Sequence, residues 1–155
     1  MKSATELDSI FKKSDLILCL LDSTGILEGK NKLMSLVYIA QEECKKRNVG
    51  LDSYKFVKRG FFPYSDELQS DLLQLISDDF VVHDERVEEG IQKNYYWLTD
   101  KGTARFKRAD LPKKALKFFE DVVERYKNYP FTWIAKDIYR HYSAFLKEED
   151  KSSKN

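Results

Sequence analysis

The side chains able to do chemistry are few and scattered. His83 lies in a β-rich run and His141 at the edge of a helical one, and neither has a Cys, Asp or Ser at the spacing of a zinc site or an activated nucleophile. Cys19 and Cys44 fall inside apolar helical patterns and read as buried thiols, with a single disulfide as the alternative. No GxxxxGK[ST] or GxGxxG segment supplies a phosphate-cradling loop. The acidic pairs Asp66-Glu67, Asp78-Asp79 and Glu88-Glu89 have the chemistry to hold a divalent ion, but the first suits a helix N-terminus and the others sit beside or within a loop. The expectation is a protein that is not an enzyme and uses no metal or cofactor.

Charge is more informative. The chain has 27 Lys and Arg against 26 Asp and Glu, a net +1, so a case for an anionic partner must rest on local clustering. From Asp66 to Glu89 nine acids stand against Arg86 alone, and from Lys101 to Lys117 seven bases stand against Asp110 alone. At 100° per residue Lys101, Arg105 and Arg108 share an arc of about 60° on one helix, with Lys107 in the same run. Lys113, Lys114 and Lys117 lie on the polar arc of the next. The first two follow Pro112 at a helix N-terminus, where exposed N–H groups suit an anion although the helix dipole disfavours cations. Two basic helix faces meeting at the 109–112 turn would form a phosphate-binding shelf for double-stranded DNA. An ordinary solvated face, with Lys117 paired to Glu120 or Asp121, is the alternative.

Two further groups carry weaker signals. Lys55, Lys58 and Arg59 are interleaved with Tyr54, Phe56, Phe61 and Phe62, a combination that stacks bases in single-strand binders but more often packs a loop onto the core. Asp66, Glu67 and Asp71 make the third helix acidic, so it repels phosphate and would instead suit a basic partner protein.

The elements that must position these residues follow from patterning. With 155 residues and 42% hydrophobic side chains, the chain can build one core without disulfides or metals. Leu7, Ile10 and Phe11 have helical spacing, and Ser14 is a candidate cap for the apolar turn 16–21. A short strand is expected near 26–28, then a helix over 30–47 with Leu33, Leu36, Val37, Ala40 and Cys44 on one face. Residues 48–63 read as a long aromatic-basic connection. Ser65 caps a helix over 66–78 whose stripe is Leu68, Leu72, Leu75 and Ile76. Residues 80–83 and 95–98 are β-rich and joined by a polar segment containing Gly90, which predicts a hairpin with a long loop. Thr99 caps a helix over 100–108, Pro112 opens another at its first helical position, and the last runs over 132–147. In that last helix Ile134, Ile138, Tyr142 and Phe145, widened by Ala135, Tyr139 and Leu146, either close the monomer core or form a two-fold interface; a homodimer is the expectation. The longest apolar run, 16–21, is far short of the ~20 residues of a membrane span. Glu6, Asp8 and Asp15 interrupt any leader pattern, so a cytoplasmic protein is expected.

This order of elements is that of a winged helix with helices appended. The Tyr96-Trp97-Leu98-Thr99-Asp100-Lys101-Gly102 segment resembles the Tyr-x-Leu-Thr-x-x-Gly step that closes the wing in many winged-helix proteins. Lys32-Leu33-Met34-Ser35-Leu36-Val37-Tyr38, with Phe62-Pro63-Tyr64-Ser65-Asp66-Glu67-Leu68 and Leu72, resembles the phage-associated, uncharacterised YwgA-like family, in which a Gly stands where this chain has Phe62. The resemblance covers roughly residues 14–142, implies the fold and argues against catalysis; it names no ligand. The expected architecture is α+β, mostly α: one winged-helix domain over 1–147, with the wing at about 80–98, a helical extension at about 99–147 and a disordered tail at 148–155. The function expected is a DNA-associated regulator binding phosphates through the surface at 101–117. The alternative is a protein-interaction module, of antitoxin or phage-defence type, using the acidic third helix.

Overall fold

The computed structural model describes residues 11–142. The predicted Leu7, Ile10, Phe145 and Leu146 positions and the 148–155 tail lie outside them. The apolar run of the first helix has no polar side to give to solvent, and α1 (Ser14–Thr24) is accordingly buried continuously from Asp15 to Leu21. Ser14 is not its cap: that position is Lys13, without a side-chain bond, and the Asp15 carboxylate instead accepts from the Lys12 amide at 2.8 Å. An acid one residue inside the helix both bonds a backbone N–H and faces the positive end of the dipole. Gly25, at φ 71°, ends the helix and leads into β1 (Leu27–Glu28).

The second helix, α2 (Lys30–Lys46), is buried on every side over Leu33–Gln41, so its expected single apolar face understates its position. It packs against α1 and, as described below, against the added C-terminal helices. The following connection is not all loop. Val57–Arg59 (β2) and Phe62–Tyr64 (β3) pair antiparallel across Gly60-Phe61, with Gly60 supplying positive φ at the first central position, as a type II′ turn requires. The Gln41 side-chain amide takes the place of a strand for the chain entering this hairpin. Its Nε2 donates to the Tyr54 carbonyl at 3.1 Å, and its Oε1 accepts from the Tyr54 amide at 2.9 Å.

Next comes α3 (Asp66–Ser77), where Ser65 caps as expected, its hydroxyl accepting from Leu68 N at 3.1 Å. Leu68, Leu72 and Leu75 are buried and Ile76 half-buried. The wing is a regular ladder of β4 (Val81–Glu88) and β5 (Ile91–Leu98), joined by only two residues, Glu89 and Gly90, both at positive φ. That is the backbone of a type I′ turn, so the predicted long loop is corrected. Beyond His83 and Tyr96 the hairpin extends into solvent on both faces, and strand residues there need not be apolar. The sheet order β1-β5-β4 completes a winged-helix core.

The extension begins with α4 (Asp100–Arg108), capped by Thr99, whose hydroxyl accepts from Gly102 N at 2.9 Å. It continues through α5 (Lys113–Tyr126), with Pro112 at the N-cap rather than the first helical position, and α6 (Phe131–His141). α5 lies against α1 and α2 through Ala115, Phe119, Val122, Val123 and Tyr126, and α6 packs on α2. The molecule is thus α+β and mostly helical, a winged-helix layout whose core is roofed by the added helices. No described helix is long and apolar enough to cross a membrane.

Candidate nucleic-acid interface

The basic segment 101–117 divides into residues that hold the fold and residues that face solvent. Lys101 Nζ donates to the Asp78 carbonyl at 2.8 Å and sits 4.6 Å from the Phe80 ring centroid. It therefore satisfies the negative end of α3. The Thr99 hydroxyl donates to the neighbouring Asp79 carbonyl at 2.6 Å. Gly102 lets the two segments meet: a Cβ built there would lie 2.0 Å from the Phe80 carbonyl oxygen. The start of α4 thus clasps the α3–β4 corner.

One turn later Arg105 reaches inward, its Nε 3.4 Å from Oδ1 of the buried Asp15. Of the arc of Lys101, Arg105 and Arg108, Lys101 is exposed while bonding the end of α3, Arg105 is half-buried against α1, and Arg108 is exposed. Lys117 pairs with Asp121 at 3.2 Å, the ordinary i,i+4 arrangement. Lys107, Arg108, Lys113 and Lys114 are all exposed and form no ion pair with another described residue. They lie at the end of α4 and the beginning of α5, on either side of the 109–112 connection. Exposed Asp110 lies between them in the chain, so this stretch carries four exposed cations against one acid.

The secondary basic loop is built for packing. Tyr54 and Phe56 are buried, and Phe62 meets Phe131 edge-on at 5.2 Å between centroids, which accounts for an aromatic ring at that position. Arg59 lies 4.0 Å over the Tyr64 ring and 3.8 Å from Asp66, while Lys55 is exposed and Lys58 half-buried. Phe61, at the turn, is 73% exposed.

The acidic residues of α3 have internal partners as well. Glu67 pairs with Lys13 at 2.7 Å, and that bond, against the cost of desolvation, raises the lysine's affinity for its proton. Asp71 accepts from the Tyr54 hydroxyl at 2.6 Å; burial and then this bond push the phenol well above its ordinary range. Together with Asp66 near Arg59, the three acids proposed for a basic partner already tie α3 to its neighbours.

Ile134, Ile138 and Tyr142 are buried within the single chain, so they close the monomer core and the interface assigned to them is corrected; Phe145 lies outside the described residues. Tyr142 also donates its hydroxyl to Glu43 at 3.0 Å. Both cysteines are free, with burial pushing the Cys19 thiol far up and the Cys44 thiol up to about 11, so neither is an activated nucleophile. His83 stacks on Tyr96 and bonds Asn94 at 2.9 Å, and His141 is exposed at the end of α6.

The sequence missed the split within the basic segment because the partners that divide it are distant: Asp15 is 90 residues from Arg105, and Asp78 is 23 from Lys101. No protein-family model, curated protein or solved structure matches the chain.

Proposed function

We propose that the chain is a non-enzymatic, DNA-associated regulator that grips duplex phosphates at the α4–α5 junction. Lys107, Arg108, Lys113 and Lys114 make the contacts, and Lys101 and Arg105 hold α4 in place beneath them. The observation that carries this reading is the exposure of those four cations, none paired with another described residue, on two helices that are each anchored to the core. α3 does not serve as the reading helix: Asp66 and Glu67 occupy its first turn, and the wing tip carries Glu88 and Glu89, so the customary docking face of a winged helix repels phosphate here. Contacts made only to phosphate position a protein on the duplex without specifying sequence. The test is duplex-binding anisotropy of the wild type beside Lys113→Glu/Lys114→Glu, where the reading expects affinity to fall by at least tenfold and unchanged affinity rejects it.

A further inference from the structure

The core accounts for Ile134, Ala135 and Ile138 on one side of α6, and the other side carries two largely exposed aromatic rings. Trp133 is 60% exposed and Tyr139 is 59% exposed. At 100° per residue, Tyr139, Thr132, Lys136, Arg140 and Trp133 follow one another around an arc of about 120°, opposite buried Ile134 and Ile138. The arc contains no acid. Asp137, just beyond its edge, is engaged by the hydroxyl of buried Tyr126. Lys136 Nζ lies 5.8 Å from the Trp133 ring centroid, and Trp133 is braced edge-on by Tyr129 at 6.4 Å. Arg140 makes no ion pair with a described residue.

We propose that this face of α6 is a binding platform for single-stranded nucleic acid, separate from the α4–α5 cluster and resting on different residues. Trp133 and Tyr139 stack on bases, while Lys136 and Arg140 between them neutralise the backbone. Alternating exposed rings and unopposed cations are the chemistry of sequence-tolerant strand binding. The six helical steps from Trp133 to Tyr139 rise about 9 Å, or about three stacked nucleotides at 3.4 Å each. A helix that lies on a membrane inserts a broad apolar face, whereas the aliphatic face of α6 is already spent in the core. Its exposed rings carry polar tips instead.

The experiment is fluorescence anisotropy of a labelled ten-nucleotide oligo(dT) at low salt, with wild type, Trp133→Ala/Tyr139→Ala, Trp133→Tyr and Lys136→Glu/Arg140→Glu proteins. All four sites are on the surface, and circular dichroism verifies folding. The platform predicts saturable binding that falls at least tenfold in the two double variants and is largely kept by Trp133→Tyr, which retains a ring. Absence of wild-type binding, or binding that all variants keep, overturns it. So does binding to vesicles of anionic phospholipid, but not to oligo(dT), that depends on the same residues. Duplex affinity measured in parallel on the Trp133→Ala/Tyr139→Ala protein separates failure of this platform from failure of the α4–α5 reading.

Discussion

Arg105 Nε lies 3.4 Å from the Oδ1 atom of Asp15, a carboxylate that is only 1% exposed. This pair joins the first helix of the winged-helix core to the first helix of the extension. Removing the cation leaves the buried carboxylate with the Lys12 amide and the positive end of the α1 dipole to compensate it. Arg105→Ala should cost about 2 kcal/mol, less than the loss of a fully buried pair because the guanidinium is partly hydrated. Asp15→Asn keeps an acceptor for Lys12, so the double variant Asp15→Asn/Arg105→Ala should be more stable than Arg105→Ala alone. Urea denaturation of the set decides it; strictly additive effects would show that the two side chains are not coupled.

Gly102 is required by the approach of α4 to the Phe80 carbonyl, since an added Cβ would lie 2.0 Å from that oxygen. Gly102→Ala should therefore destabilise by about 3 kcal/mol despite alanine's better helix propensity. Gly50→Ala is the control: nothing lies within 4 Å of a Cβ there. Its unfolding free energy from urea denaturation should change by no more than about 0.5 kcal/mol.

The wing turn places a non-glycine residue in the left-handed region, Glu89 at φ 52°, ahead of Gly90 at φ 77°. Glu89→Asn suits a type I′ turn better and should stabilise the protein by about 0.5 kcal/mol, whereas Gly90→Ala should cost about 1 kcal/mol. Thermal melts test both, and a lower melting temperature for Glu89→Asn would contradict the assignment of the turn.

Glu43 joins α2 to the end of α6. Burial works against its ionisation, but bonds from Arg47 and Tyr142, with help from Lys46, outweigh it and hold the carboxyl below its ordinary range. A folded-state pKa that is depressed gives stability present above the unfolded pKa of about 4.3 and lost as pH falls through the folded value. Glu43→Gln should cost about 1 kcal/mol at pH 7, and its gap from wild type should narrow toward pH 3. Urea midpoints at the two pH values provide the check; an equal gap at both would count against the ion-pair account.

Local signals in the sequence were enough to identify the Ser65 and Thr99 caps, because each depends on a hydroxyl and an amide three residues apart. The order of the helices and of the wing strands was legible from equally local hydrophobic periodicity. Residues 84–94 were not: polar side chains usually mark a loop, but a hairpin projecting into solvent has no buried face to require alternation. The β2–β3 hairpin was hidden by Pro63 within a strand, which a small two-stranded sheet with open edges tolerates. In the candidate site, the density of cations was visible and their division was not. That Lys101 bonds the Asp78 carbonyl and that Arg105 turns inward to Asp15 depend on partners which only the tertiary fold brings near.

The central claim is that four cations at the α4–α5 junction hold duplex phosphates, and its most direct test is the salt dependence of duplex binding. With four contacts, log K should fall against log salt with a slope of about −3.6. Reversing Lys113 and Lys114 to Glu should remove two contacts and bring the slope to about −1.8 or shallower, with weaker binding at every salt concentration. No wild-type binding at low salt, or a slope and affinity that the reversal leaves unchanged, would contradict the account.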